Sequence, residues 1–212
     1  MTIGTRWTRA LVGAAHSKSV HSRRVGVLAN HFAEMIPAQH CVLDVGCGDG
    51  LIDALLAQRR PDLQLAGVDV LVRPNARIPV TPFDGLRLPY KDRSWDTVLF
   101  CDALHHAADP VALLREAARV ARQSVVIKDH SVQGVLAWHT LRFMDYVGNA
   151  PHGVALPYTY LTPQQWQDAF AASSLRPENV RTELGIYPRW ANPIFGRSLH
   201  FIAACGILER EG

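Results

Sequence analysis

The densest chemistry in the chain lies in Val42 to Gly50, VLDVGCGDG, where an apolar run ends in Gly46, Gly48 and Gly50 with Asp44 before them and Asp49 among them. Glycine allows tight, positive-φ backbone and lets a ligand approach with no Cβ in the way. Dinucleotide sites use G-x-G-x-x-G and set a helix N-terminus against a pyrophosphate. Here the spacing is G-x-G-x-G, and two carboxylates flank the turn. They would repel a pyrophosphate and tolerate a ligand carrying ammonium and sulfonium charge.

S-adenosylmethionine is such a ligand. Asp69 ends the next apolar run, where an acidic side chain can hydrogen-bond both ribose hydroxyls. Phe83-Asp84-Gly85 follows, with a carboxylate able to accept from an adenine amine. A further run leads to Cys101-Asp102-Ala103-Leu104-His105-His106.

The elements that position these residues are legible. Val25, Leu28, Phe32 and Ile36 recur at helical spacing in residues 24–36, and Pro37 stops that helix. Residues 41–45, 63–70, 78–84, 97–101 and 124–130 read as strands. Helices fall between them at 51–60 and 109–121, the latter with Asp109 as N-cap and Pro110 in the first turn. Pro79 and Pro82 assign the third strand to an edge. The alternation implies parallel strands joined by right-handed crossovers. After residue 130 a long helix is expected over 131–148, a loop to 161, a helix over 162–175 capped by Thr162, and strands at 179–184 and 199–205 that form an antiparallel pair.

VLDVGCGDG, GVDV, FDGLRLPY and SWDTVLFCDALHHAADP, followed by the fifth strand, resemble the successive motifs of class I S-adenosylmethionine-dependent methyltransferases, in the group that includes the ubiquinone- and menaquinone-biosynthesis enzymes. The resemblance covers about residues 40–130. It implies a Rossmann-like α/β fold: a seven-stranded, mostly parallel sheet with helices on both faces and the last strand antiparallel. It also implies that Gly46, Gly48 and Gly50, with Asp49, line the methionine and ribose, and that Asp44 sits near the ammonium. Asp69 would take the ribose hydroxyls, Val70 would pack on adenine, and Asp84 and Gly85 would meet its edge. Cys101 and Asp102 would offer backbone to the methionine end.

His105 and His130 are the candidate general bases, since imidazole titrates near neutral pH. The structural alternative is that they shape the pocket or bond backbone carbonyls. Residues 131–161 read as a substrate lid, giving one domain over 1–212 with a cap and helix at 1–40, a cofactor core at 41–130 and a terminal helix and strand pair at 162–212. His106, Trp138, Phe143, His152, Tyr158 and Tyr160 are the candidate acceptor contacts; an aromatic stripe can equally be core or a dimer face. No metal is assigned. His130, His139, Asp145 and His152 could make an acid–base set or hold a divalent ion that acidifies a phenol or catechol.

Composition bounds the rest. With 212 residues, 48% hydrophobic and 19% charged, the chain is sized for one compact core. A net charge of +3 without a dense basic stripe argues against nucleic acid. The four cysteines form no C-x-x-C pair, which fits a reducing cytoplasm. No apolar run reaches the length of a membrane span. The expected function is methyl transfer to an oxygen or carbon of a small aromatic or lipid-like acceptor. The alternatives are a nicotinamide-dependent oxidoreductase and a non-catalytic cofactor-binding protein on the same fold.

Overall fold

The computed structural model describes residues 22–149, 157–196 and 198–208. Helix α1 spans 22–35. It is followed by β1 (Cys41–Val45), α2 (Leu51–Arg59), β2 (Gln64–Asp69), β3 (Val80–Pro82) and β4 (Trp95–Cys101). A 3₁₀ turn (Leu104–His106) leads to α3 (Pro110–Val120) and β5 (Ala121–His130). Then come α4 (Ala137–Asn149), α5 (Pro163–Ala172), β6 (Leu175–Arg181), the short α6 (Asn192–Phe195) and β7 (His200–Ile207).

The seven strands form one sheet in the order β3-β2-β1-β4-β5-β7-β6. β1 to β5 run parallel, and β7 is antiparallel to both β5 and β6. The fold is thus the expected Rossmann-like sheet, with β3 at an edge. Chain order reverses between β1 and β4, and in open α/β sheets the crevice outside the strand ends at such a switch point takes the ligand.

Alternation along the buried strands divides the core into two layers. Leu43, Val98, Phe100, Val125 and Ile127 pack with Leu113, Leu114 and Ala117 of α3 and Trp166 and Phe170 of α5. Val42, Leu99, Val126 and Ile202 pack on the other face with Leu28 and Phe32 of α1 and Leu56 of α2. Side chains two apart share a face, so Asp44 lies under α2 beside Val42, and Lys128 lies beside Val126.

The caps act as expected. Asp109 accepts from the Ala112 amide at 2.9 Å, and Thr162 and Gln165 form a reciprocal capping box. Two boundaries differ from expectation by four residues or more, and α6 was not expected. Helix α4 begins at Ala137 rather than Ser131, because Gly134 (φ 87°) and Leu136 (φ 63°) adopt left-handed backbone that a right-handed helix cannot contain. Strand β6 begins at Leu175 rather than Asn179, and pairs with β7 through a register shift between Pro177 and Asn179.

Candidate active site

The turn after β1 is built on three left-handed residues, Gly46 (φ 79°), Gly48 (φ 61°) and Gly50 (φ 69°), the last capping α2. Their surroundings differ. A Cβ on Gly46 would stand 2.7 Å from the Ala103 Cβ, so Gly46 closes β1 against the end of β4. A Cβ on Gly48 would meet no protein atom within 4 Å. Gly46→Ala should therefore cost about 2–4 kcal/mol, from left-handed strain and overpacking together. Gly48→Ala should cost only the strain, about 1–2 kcal/mol, yet weaken S-adenosylhomocysteine binding if ligand fills that open side. Urea unfolding and titration calorimetry on both variants separate the two roles.

Asp69 ties the second strand to this turn: its Oδ2 accepts from the Gly48 amide and its Oδ1 from the Leu71 amide, each at 2.8 Å. Each carboxylate oxygen keeps a further lone pair. Val70 stands 66% exposed beside Gly85, whose added Cβ would lie 3.2 Å from Val70 Cγ1. Asp84 Oδ1 accepts from the Leu86 and Arg87 amides, which fixes the turn and leaves Oδ2 outward. Asp49 caps the Leu51 amide and lies 3.6 Å from Arg77.

Beneath the glycines, Asp44 and Asp53 are both buried, and Asp44 Oδ1 and both Asp53 carboxyl oxygens have no hydrogen-bond partner among the described residues. Burial, followed by the charge of Asp53, holds the Asp44 carboxyl well above the usual range. Burial pushes Asp53 up to about 6. Nothing in the sequence singled out Asp53, since an acidic residue in a first helical turn reads as ordinary dipole compensation.

At the end of β4, Asp102 is the hub of a buried ion cluster. Its carboxylate is paired with Arg24 of α1 and with Lys128 of β5, and His130 Nε2 lies 3.4 Å away. Burial alone would raise the Asp102 carboxyl, but Lys128 and Arg24 outweigh it and hold it well below the usual range. Cys101 Sγ stands 3.9 Å from Asp102 Oδ2, and burial, then that charge, raises the thiol.

The two candidate bases have opposite environments. His105 donates from Nδ1 to Asp129 Oδ1 at 2.7 Å, and its Nε2 lies 3.5 Å from Asp145 Oδ1. Burial pulls the ring down, but Asp129 and Asp145 overcome it and push its pKa up to about 10. His130 is neutral: burial first, then the charges of Lys128 and His105, hold it well below 6.5. His200 Nε2 lies 2.9 Å from the Phe195 carbonyl, which can only accept, so His200 Nδ1 carries the lone pair. His130 Nδ1 lies 3.1 Å from His200 Nδ1, which is also 3.3 Å from the Lys128 ammonium, and His130 Nε2 lies 3.4 Å from Asp102 Oδ1. Arg24, Lys128 and His200 were missed in the sequence, because they reach the site from separate elements.

The acceptor candidates are spread around α4. His106 and Tyr160 lie at Asp145, Nε2 at 3.6 Å and the phenol at 2.9 Å respectively. Arg142 stacks between Trp138 and Tyr158, 5.2 and 4.8 Å from their centroids. Phe143 is 59% exposed, on the side of α4 away from buried Asp145. His152 and the N-terminal arm lie outside the described residues. Among the described residues no helix is long and apolar enough to cross a membrane.

This fold is a Rossmann-like α/β sheet, and comparison adds what the chain resembles. Residues 43–127, less than half of the chain, match the methyltransferase domain family. The chain is also similar to named methyltransferases. It is 32% identical over 110 residues to 27-O-demethylrifamycin SV methyltransferase of Amycolatopsis mediterranei, covering 45% of this chain and 40% of that protein. It is 34% identical over 116 residues to methyltransferase GfsG of Streptomyces halstedii, covering 48% and 41%. The chain thus spans well under half the length of these relatives. The structure of a SAM-dependent methyltransferase from Aquifex aeolicus superposes with a TM-score of 0.57 at 17% identity, covering 81% of this chain and 84% of that one.

Proposed function

We propose that the chain transfers a methyl group from S-adenosylmethionine to an oxygen or carbon atom of a small aromatic or lipid-like acceptor. The observation that carries this reading is the set of unpartnered carboxyl oxygens of Asp44 and Asp53 beneath a glycine turn with one open side. A cationic ligand satisfies such oxygens, and an anionic pyrophosphate does not. The name of the Amycolatopsis relative, a methyltransferase of 27-O-demethylrifamycin SV, supports an oxygen acceptor.

The cofactor supplies an electrophilic methyl carbon on a sulfonium. The chain's own residues bind and orient. Gly46, Gly48, Gly50 and Asp49 line the methionine and ribose, with Asp44 at the ammonium and Asp69 at the ribose hydroxyls. Val70, Asp84 and Gly85 frame the adenine, and the backbone of Cys101 and Asp102 borders the methionine end. Holding acceptor and methyl in line supplies about 7–11 kcal/mol of the barrier reduction in well-oriented systems. His130 is the base where the acceptor needs one. His105, with both ring nitrogens facing carboxylates, positions the 3₁₀ turn and α4. His106, Tyr158, Tyr160 and Trp138 border the acceptor, with 131–161 as lid. We place the chain in the cytoplasm, acting on a small molecule.

Calorimetry with S-adenosylhomocysteine tests the reading directly. Asp69→Ala should weaken binding about 10- to 100-fold, the worth of hydrogen bonds to a charged group. Unchanged affinity in that variant would remove the ribose assignment, and no binding by the native chain would remove the function.

A further inference from the structure

The 3₁₀ turn Leu104–His106 and helix α4 enclose a constellation that the cofactor cradle does not use. His105 Nε2 and His106 Nε2 lie 3.5 and 3.6 Å from one and the same atom, Asp145 Oδ1, and these three atoms all fall within 4.8 Å of one another. Zinc–nitrogen bonds are about 2.0–2.1 Å long, so ligand atoms around a tetrahedral ion stand about 3.4 Å apart. The two separations match that edge.

The outer partners are also those of a metal site. Ligating imidazoles donate their other N–H to a carboxylate, which fixes ring and tautomer. His105 Nδ1 does so to Asp129 Oδ1, and Asp129 is itself held by the Leu104 and His130 amides at 3.1 and 2.6 Å. Asp145 Oδ2 accepts from the Tyr160 hydroxyl, which turns Oδ1 toward the two imidazoles. An aspartate–histidine ion pair needs one ring. A second ring presenting the same nitrogen to the same oxygen, with both outer partners in place, is the arrangement of two imidazoles and one carboxylate around a cation.

We propose that His105 Nε2, His106 Nε2 and Asp145 Oδ1 bind a first-row divalent ion of the zinc, iron, cobalt or manganese class, which displaces the Nε2 proton of His105 to solvent. Two imidazoles with one carboxylate suit these ions, whereas magnesium and calcium favour oxygen donors. Three protein ligands with open positions are the pattern of a catalytic ion. His106 is the one ligand of the three with a partly exposed side chain, and the open positions are assigned to the acceptor. There the ion would bind the acceptor oxygen and lower its pKa. That role rests on the methyltransferase reading; the ion site itself does not.

The test uses the full chain, stripped with chelator and titrated with Co²⁺ as the probe. One Co²⁺ per chain is expected, with the visible absorption of a low-coordinate site. His106→Ala and Asp145→Asn should weaken it at least tenfold, while His139→Ala, on the exposed side of α4, binds as the native chain does. Far-UV circular dichroism and S-adenosylhomocysteine binding verify each fold. Should Asp145→Asn fail to fold, His106→Gln at the half-buried ligand carries the test. Absence of stoichiometric Co²⁺, or Co²⁺ affinity unmoved by the His106 variants, overturns the site. Co²⁺ bound stoichiometrically without any S-adenosylhomocysteine binding sustains the ion site and removes the methyltransferase reading.

Discussion

Asp102→Asn is expected to lower the unfolding free energy by about 3–5 kcal/mol, the usual cost of removing one partner from a buried ion pair. Lys128 is fully buried in β5, and its ammonium meets Asp102 Oδ1 and, at 3.3 Å, the lone pair of His200 Nδ1. With asparagine, only neutral acceptors, an amide oxygen and one imidazole, remain for a buried cation, and Arg24 loses its anionic partner as well. Asparagine is the informative replacement. Asp102 has φ 56°, a left-handed conformation that asparagine adopts readily, so the backbone is unchanged and the charge alone is removed. Asp102→Ala should cost a further 1–2 kcal/mol or so for the left-handed backbone. Against a total stability of about 5–15 kcal/mol, either loss is large. Adding Lys128→Met to Asp102→Asn should recover part of it, because the unpaired charge goes too. Urea midpoints for the single and double variants measure the coupling. A loss under about 1 kcal/mol for Asp102→Asn would mean that water, not Asp102, solvates Lys128.

The part of this molecule that could be read from its sequence is the part made by neighbours in sequence. Strand β1, residues 97–100 of β4 and residues 125–130 of β5 are buried on both faces, and their apolar runs mark them in the sequence; the glycine turn and Gly85 lie just beyond strands, and Asp69 ends one. Where residues are exposed the signal fades. In β6, residues 176–180 all face solvent on an edge strand, so no alternation marks its start. The helical pattern at 131–136 was misleading because Gly134 and Leu136 take left-handed backbone, which the apolar spacing does not reveal. The ion cluster was illegible for a related reason. Arg24, Asp102, Lys128 and His200 come from α1, β4, β5 and β7, and only the antiparallel register that pairs His130 with His200 brings the last of them in. A lysine closing the run Val125-Val126-Ile127 was the one signal available, since lysine is almost never fully buried unless paired.

The affinity for S-adenosylhomocysteine should rise about tenfold between pH 5 and pH 7. The groups responsible are Asp44 on β1 and Asp53 on α2, two buried carboxyls that cannot both ionise cheaply. The groups facing them add no cation: the Cys47 thiol is itself raised by burial and by these carboxyls, and Asp49 and Asp69 contribute negative charge. Burial raises Asp53 to about 6 and Asp44 well above its ordinary value. A raised carboxyl holds its proton in the folded chain when the unfolded chain has released it. The pair's contribution to stability is therefore full below about pH 4 and is lost as pH rises through about 6. Ligand binding runs the other way, since an ammonium favours the form that has lost the proton, and an α-amino group stays charged below about pH 8. Asp53→Asn replaces the second carboxyl with an amide that can donate to Asp44. It should flatten the affinity between pH 5 and 7 and raise stability at pH 8, where the native chain carries the uncompensated carboxylate. Calorimetry across that range decides the matter: a native affinity independent of pH would mean that the proton remains on the pair in the complex, and that the ammonium is held elsewhere.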